Sequence, residues 1–276
     1  KFNSERNTVM KLLIQADDYG ITRAVSSGIV FGIHHGLVRN TGIFTNMDWT
    51  EECLDMIKPY LDQIDLGIDL NISTGRPILP TYQIPTLVNQ EGIFLTSWES
   101  RKRDEFCEDK NHASMDEVYQ EFEAQIQRFI ELVGKKPDYI HGHAYTTEMI
   151  CQVQRALSQK YGIPYTSDIW DKLFGFDISG YRIPWYIKPA TLENQINSSL
   201  SQYLLNHKNE LLQKEYCLVV GHMGYVDDEL LKLSSYHLYR IKDLEGITNL
   251  EVMDWVKESH ISLIRYSEIC NHEKGR

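Results

Sequence analysis

The sequence predicts an α/β fold with parallel strands, and it favours an incomplete (β/α) barrel over a doubly wound sheet. Apolar or β-branched runs alternate with helical patterns along all 276 residues, as is typical of parallel sheets covered by helices. Single α/β barrels commonly have this length, so we treat residues 1–276 as one domain. The runs that predict strands are 12–16, 41–46, 65–70, 138–142, 163–167, 216–221 and 261–264.

Helical patterns lie between most of these runs. The clearest covers 115–133, which starts with a Ser114–Glu117 capping box and ends at Gly134. The segment 72–113 shows neither a strand nor a long helix, and a connection of this length predicts a lid or a substrate wall. The segment 168–190 is also irregular and is rich in aromatic residues. The other predicted helices are 22–36, 50–62, 147–161, 191–213 and 242–258.

The composition excludes several classes of protein. The chain is 42% hydrophobic and 24% charged, which is ordinary for a globular enzyme, and its net charge of −11 argues against nucleic-acid or anionic-membrane partners. No apolar run approaches the roughly 20 residues that span a bilayer. The cysteines are scattered without a C-x-x-C pair, and the first ten residues are polar. We therefore expect a cytoplasmic protein without a structural zinc site.

Ligand-type and proton-transfer side chains follow four of the predicted strands. Because parallel strands end at the same edge of a sheet, a barrel would gather these side chains in one bowl. Buried charge is costly unless it is paired or bound to a metal, so the pattern favours a metal-assisted site. A helix N-cap just before Ile21 is the structural alternative for the first pair of acids. The side chains are Asp17 and Asp18, Asp69 and Asn71, His141 and His143, and His222.

The same segments resemble the YdjC/ChbG carbohydrate deacetylases. Residues 13–20, L-I-Q-A-D-D-Y-G, are similar to the family's A-D-D-[FY]-G signature, and 66–71 followed by Gly75-Arg76-Pro77 resembles L-G-x-H-L-N and G-x-P. Residues 140–143 lie where members carry D-[SG]-H, residues 221–225 resemble H-P-G-[YF], and Arg240 matches an arginine after that motif. The resemblance covers about 11–265. It implies a distorted TIM-like (β/α) barrel of about seven parallel strands, similar to polysaccharide deacetylases.

The resemblance also implies an activity and a set of roles. Family members remove an acetyl group from N-acetylated sugars, typically chito-oligosaccharides, with one divalent cation. Asp17 would be the general base and His222 the acid that protonates the departing amine. Asp18, Asp69 and His143 would be the metal ligands.

Asp69 departs from the family, because the usual residue at this position is a histidine. Two carboxylates with one imidazole shift the preference toward Mg²⁺, with Zn²⁺ and Mn²⁺ as alternatives. His141 stands where the family has an aspartate. Either the family's histidine and aspartate have changed places between these neighbouring positions, or Asp69 and His141 face each other as an ion pair.

Further residues are candidates for substrate contacts or for support of the site, namely His141, Asn71, Arg76, Tyr145 and Arg240. Trp98, Tyr145 and the aromatic residues of 168–190 could stack on sugar rings, with loop or core packing as the alternative. Five histidines are expected to be solvated, namely His112, His207, His237, His260 and His272. The expected partner is a small carbohydrate, and a homodimer accords with the family.

Three functions remain open at this stage. The first is a metal-dependent hydrolase that removes the N-acetyl group of an amino sugar. The second is a glycosidase on a disaccharide or phospho-disaccharide, which would need two carboxylates about 5–10 Å apart that do not both bind a metal. The third is a non-catalytic sugar or metal binder, because the usual histidine ligand is Asp69.

Overall fold

A single parallel sheet forms the centre of the molecule. The computed structural model describes residues 9–174 and 180–269. Within them every pair of strands is parallel, and the order is β4-β3-β2-β1-β6-β5, with β7 joining the start of β1. The strands are β1 (Lys11–Tyr19), β2 (Asn40–Ile43), β3 (Asp65–Leu70), β4 (Ile140–Gly142), β5 (Gly180–Arg182), β6 (Tyr216–Gly221) and β7 (Ser262–Ile264).

Helices connect the strands and cover the sheet. The long amphipathic helix expected at 115–133 is present with those bounds, and Gly134 ends it in a left-handed conformation. The helices are α1 (Arg23–His35), α2 (Thr50–Ile57), α3 (Ser97–Asp104), α4 (Met115–Val133), α5 (Glu148–Tyr161), α6 (Thr166–Phe174), α7 (Leu192–Asn197), α8 (Leu200–Asn206), α9 (Lys208–Leu211), α10 (Asp228–Leu233), α11 (Leu238–Thr248) and α12 (Leu250–Glu258).

The sheet is a curled, incomplete barrel, which confirms the predicted fold class. Strand β1 lies at its centre and is buried from Leu12 to Tyr19. Within the described parts of the chain, β4 and β5 form the two edges. All strands run in one direction, so their carboxyl ends meet at one rim. The end of β1 lies near the middle of that rim.

One predicted strand is wrong and one observed strand was missed. Only Tyr165 of the predicted strand 163–167 bridges to Ile140, and helix α6 begins at the next residue. Pro164 cannot donate a ladder hydrogen bond, and Thr166 and Ser167 favour a helix start. The missed strand is β5, inside the segment expected to be irregular. Its three residues are too few for a recognisable pattern.

Two predicted helices are interrupted. The region 191–213 contains α7, α8 and α9, because Ser199 starts a new helix by accepting a hydrogen bond from the Gln202 N–H. The region 242–258 contains α11 and α12, which meet at Asn249. The Asn249 side chain accepts from the Val252 N–H and so caps the second helix.

The segment 72–113 packs against α4. The Glu121 carboxylate accepts hydrogen bonds of 3.0 Å from the backbone N–H groups of Ile78 and Leu79. The Glu117 carboxylate accepts a 2.8 Å bond from the Thr86 N–H. These contacts hold the segment at the rim, where Ser97 and Arg101 of α3 reach the central cavity. We call residues 72–113 the wall segment.

Candidate active site

The carboxyl ends of the strands surround a cavity of about 390 Å³. It brings together six of the strand-end side chains that the sequence singles out, together with Arg240. The wall segment closes one side, and 233–236 closes another. The side chains from the strand ends are Asp17, Asp18, Asp69, His141, His143 and His222.

A backbone irregularity directs both Asp17 and Asp18 into this cavity. Adjacent side chains of a regular strand point to opposite faces. Between Ala16 and Tyr19, however, the pairing of β1 with β2 shifts register, and Asp18 has a left-handed backbone with φ of 70°. Aspartate tolerates this conformation better than most residues. The bulge therefore lets two consecutive acids line one site.

Asp18 is the most strongly paired side chain of the site. Its Oδ2 lies 2.6 Å from Arg240 Nη2, and its Oδ1 lies 2.8 Å from His143 Nδ1. Burial alone would raise the pKa of Asp18, but His143 and Arg240 outweigh burial and hold the pKa well below its ordinary value. Asp18 is therefore a carboxylate in the folded protein.

Asp69 supports the backbone of Asp18. Its Oδ2 accepts a 2.9 Å hydrogen bond from the Asp18 N–H. Its Oδ1 lies over Gly42 of β2, where an added Cβ would come within 1.9 Å. Burial and the neighbouring Asp18 carboxylate raise the pKa of Asp69 to about 7. A glycine on β2 thus makes room for a carboxyl group on β3.

Asp17 lies in a less favourable environment for a charge. Its Oδ1 accepts a 2.5 Å hydrogen bond from Gln15 Nε2, and the Gln15 Oε1 atom accepts a 2.6 Å bond from the Tyr266 hydroxyl. Burial, Asp69 and Asp18 raise the pKa of Asp17 well above its ordinary value. Two neighbouring acids at one strand end therefore have opposite pKa shifts, and acids of this kind can take different chemical roles.

His141 faces Asp17 rather than Asp69. Its Nε2 lies 3.8 Å from Asp17 Oδ2, and its Nδ1 lies 2.8 Å from Thr166 Oγ1. The ion pair considered between Asp69 and His141 is therefore replaced by a loose contact with Asp17. Burial and the nearby His143 lower the pKa of His141 to about 3, so this ring is neutral at pH 7.

His222 at the end of β6 faces the opposite side of the cavity. Its Nδ1 lies 3.1 Å from the Tyr186 hydroxyl, and its backbone N–H donates a 2.9 Å hydrogen bond to Asp243 Oδ2. Burial lowers the pKa of His222 to about 3. A second cavity, of about 420 Å³, shares His222, Asp17 and His141 with the first.

The predicted metal ligands fit a divalent cation only in part. Asp69 Oδ1 is buried and accepts no hydrogen bond, and carboxylate oxygens with an imidazole suit such an ion. Asp18 and His143 are in contact, but Asp69 Oδ2 already accepts a hydrogen bond from the Asp18 backbone N–H. Across 9–174 and 180–269, no three His, Cys, Asp or Glu side chains form a ready metal-binding group. The triple of Asp18, Asp69 and His143 stays a prediction.

Three of the other predicted residues do not line the central cavity. Asn71 is buried and donates to Asn46 Oδ1 and to the Thr74 carbonyl, so it shapes a turn after β3. Arg76 lines a separate cavity of about 350 Å³. Tyr145 is 2% exposed and is therefore not a surface for a sugar ring.

Tyr145 instead ties the wall segment to the loop after β4. Its hydroxyl donates a 2.7 Å hydrogen bond to Asp104 Oδ2, and His112 Nδ1 lies 2.8 Å from Asp104 Oδ1. His112 is thus paired and largely buried, and the expectation that it is solvated is wrong. Arg101 adds a 2.7 Å bond to the Ala144 carbonyl.

Several residues of the site escaped the sequence reasoning. Asp243 falls in a predicted helix as an ordinary acid, and its spacing of three from Arg240 was the available signal, because such residues share a helix face. Arg101 lies in an irregular segment without a motif, and Tyr186 was expected only as one of the aromatic residues of 168–190, not as a partner of His222. Trp170, Trp185 and Tyr186 of 168–190 line the second cavity, and their stacking on a sugar ring stays a prediction.

Fold and site together define a barrel-like α/β protein with a buried cluster of carboxylates and imidazoles at the carboxyl ends of its strands. The YdjC-like protein family matches residues 11–258, and the chain belongs to this family. The carbohydrate deacetylase of Clostridium beijerinckii is 30% identical over 268 residues, which cover 94% of this chain and 100% of that protein. The chitooligosaccharide deacetylase of Proteus mirabilis is 24% identical, with 94% and 98% covered.

A solved structure supports the fold. An Enterococcus faecalis V583 protein, provisionally described as a cellobiose-phosphate cleavage protein, has a TM-score of 0.75 at 24% identity. The match covers 95% of this chain and 99% of that protein. Among the described residues, no helix is long and apolar enough to cross a membrane.

Proposed function

We propose that this protein is a carbohydrate deacetylase that hydrolyses the N-acetyl group of an amino sugar such as a chito-oligosaccharide. The observation that carries the proposal is the single cavity lined by Asp17, Asp18, His143 and His222, which come from three different strand ends. The similarity to the carbohydrate deacetylase of Clostridium beijerinckii and the chitooligosaccharide deacetylase of Proteus mirabilis supports the same reaction class.

A divalent cation, with Mg²⁺ preferred, belongs to this proposal. Held by Asp18 and His143, with Asp69 as the predicted third ligand, it would polarise the acetyl carbonyl and lower the pKa of a bound water. Arg240 keeps Asp18 ionised and so ready to bind the cation.

Asp17 is the proposed general base. Gln15 engages its Oδ1, which leaves Oδ2 to take a proton from the attacking water. Its raised pKa makes Asp17 a stronger base than an ordinary carboxylate, and a base works best when its pKa approaches the working pH.

His222 is the proposed proton donor to the departing amine. Because its pKa is low, the ring is neutral at pH 7 and must gain a proton during the reaction. Its Nε2 is the ring nitrogen that Tyr186 does not engage, so we assign the proton transfer to this atom.

The glycosidase alternative has less support. Asp18 is held by Arg240 and His143, and Asp69 by the Asp18 backbone, so Asp17 is the acid left without a cationic or backbone partner. A glycosidase needs a second acid without such partners, on the other side of the sugar bond.

The test is acetate release from N,N′-diacetylchitobiose, with Mg²⁺, Mn²⁺ or Zn²⁺ added in turn and with EDTA. We expect metal-dependent release that Asp17→Asn and His222→Gln each lower by at least about 100-fold. The exposed residues Asp254 and His35 offer matched controls, and Asp254→Asn and His35→Gln should retain full activity. Release of glucosamine units without acetate would favour the glycosidase, and metal or sugar binding without turnover would favour the non-catalytic binder.

A further inference from the structure

The side chain of Tyr186 lies between His222 and Asp243. Its hydroxyl donates a short hydrogen bond to Asp243 Oδ2 and lies 3.1 Å from His222 Nδ1. Asp243 is buried, whereas Tyr186 and His222 are half-buried; His222 lines both cavities and Tyr186 lines the second. Neither Tyr186 nor Asp243 is part of the strand-end motifs.

The hydrogen-bond directions in this cluster follow from the chemistry of the groups. An ionised carboxylate only accepts hydrogen bonds, and Asp243 also accepts from Trp185 Nε1 at 2.7 Å and from the His222 backbone N–H. The Tyr186 proton is therefore directed at Asp243. Toward His222 Nδ1 the hydroxyl oxygen can therefore only accept a hydrogen bond, so Nδ1 must carry the ring proton.

We propose that Tyr186 and Asp243 are positioning residues that hold His222 in the Nδ1–H tautomer and supply a counter-charge when the ring becomes protonated at Nε2. The inference rests on the proposed function for the step that His222 performs. In it, Nε2 keeps a free lone pair toward the cavity, gains the proton that Asp17 has taken from the attacking water, and passes it to the amine nitrogen, which leaves Asp17 ionised again. Each proton that leaves Nε2 restores the neutral Nδ1–H ring.

The surroundings of His222 explain why such a relay is needed. Arg240 and Lys188 disfavour a positive ring, and Asp18 favours one but is already paired with Arg240 and His143. Asp243 reaches the ring only through the Tyr186 hydroxyl. Burial raises the pKa of Tyr186 well above its ordinary value, so the hydroxyl keeps its proton throughout. The titratable groups that face the ring are Asp18, His141, His143, Tyr186, Lys188, Tyr236 and Arg240.

Helix α11 connects this relay to the other half of the site. Arg240 and Asp243 lie three residues apart on one helix face, and they contact Asp18 and Tyr186 respectively. One helix therefore orients the carboxylate at the end of β1 and, through Tyr186, the imidazole at the end of β6.

The experiment compares Tyr186→Phe with wild type by two independent readouts. Imidazole ¹⁵N shifts, with His222 assigned through the His222→Gln spectrum, report the tautomer without any need for activity. We expect an Nδ1–H ring in wild type and a mixture of tautomers in the variant. We also expect kcat to fall by about 10-fold or more with KM nearly unchanged, and the alkaline limb of the kcat profile to move to lower pH.

Tyr181→Phe is the matched control, because the Tyr181 hydroxyl bonds Tyr203 away from the central cavity. It should match wild type in both readouts. An Nε2–H ring in wild type, or unchanged shifts and kcat in Tyr186→Phe, would overturn the relay. Absence of acetate release by wild type would refute the proposed function, while the NMR result would still judge the tautomer.

Discussion

The Asp69 carboxylate accepts the backbone N–H of Asp18 at 2.9 Å. Asp18 has a left-handed backbone, a conformation that costs about 1 kcal/mol or more for a non-glycine residue. Asp69 thus stabilises the bend that turns Asp17 and Asp18 into one cavity. It can do this whether or not its other oxygen also binds a cation.

Replacement of Asp69 by Asn separates these two roles. Asparagine can still accept the Asp18 N–H through its carbonyl oxygen but carries no charge. We expect the melting temperature to change little and the Kd for Mn²⁺, measured by calorimetry, to rise by about 10-fold or more. An unchanged Kd would show that Asp69 supports the backbone and is not a ligand.

Replacement of Asp69 by His restores the residue type that the family usually has at this position. An imidazole suits Zn²⁺ better than a second carboxylate does. We expect the variant to retain or increase acetate release in the presence of Zn²⁺. Complete loss of metal binding would contradict the assignment of Asp69 as a ligand.

Gly42→Ala tests the close packing between β2 and β3. The new methyl group would come within 1.9 Å of Asp69 Oδ1, so it must displace the carboxyl group. We expect a loss of about 1–3 kcal/mol in the free energy of unfolding, measured by urea titration. The same substitution in an Asp69→Ala background should cost much less. Equal costs in both backgrounds would show that the strain arises elsewhere.

Arg240→Met tests the buried ion pair with Asp18. Both side chains are at most 2% exposed, so removal of the guanidinium leaves the buried Asp18 carboxylate with His143 as its remaining partner. We expect a destabilisation of about 3–5 kcal/mol at pH 7. Arg23→Met, which breaks an exposed pair with Glu52, is the matched control and should cost about 1 kcal/mol or less. Similar losses for both variants would refute the assigned role.

Asp243 should make the free energy of unfolding depend on pH. Burial raises its pKa in the folded protein to about 6, whereas an unfolded aspartate titrates near 3.9. The folded state therefore binds the proton more tightly, and this stabilisation is complete below pH 3.9 and is lost as the pH rises through about 6.

The wild-type free energy of unfolding minus that of Asp243→Asn should therefore fall by about 2 kcal/mol between pH 4 and pH 7. The difference removes contributions from Asp17 and Asp69, which have the same sign. Denaturant titrations at intermediate pH values measure it. A difference that stays constant with pH would show that the Asp243 pKa is ordinary in the folded protein.

The sequence by itself determined the fold class and the family. It also located the acids and imidazoles at the strand ends, because strand alternation and the A-D-D-Y-G motif are local patterns. Asp17, Asp18, Asp69, His143 and His222 all line the predicted cavity for this reason. The three-residue strand β5 was beyond reach, since it forms through pairing with β6 and not through a pattern of its own.

Tertiary structure alone decided which of these side chains contact one another. Tyr186 and Asp243 are 57 residues apart, and Asp18 and Arg240 are 222 apart. Periodicity and motif spacing describe neighbours along the chain, whereas such contacts depend on how helices pack against the sheet. The bulge at Asp18 and the space over Gly42 are decided in the same way, and they set the environment of the acids.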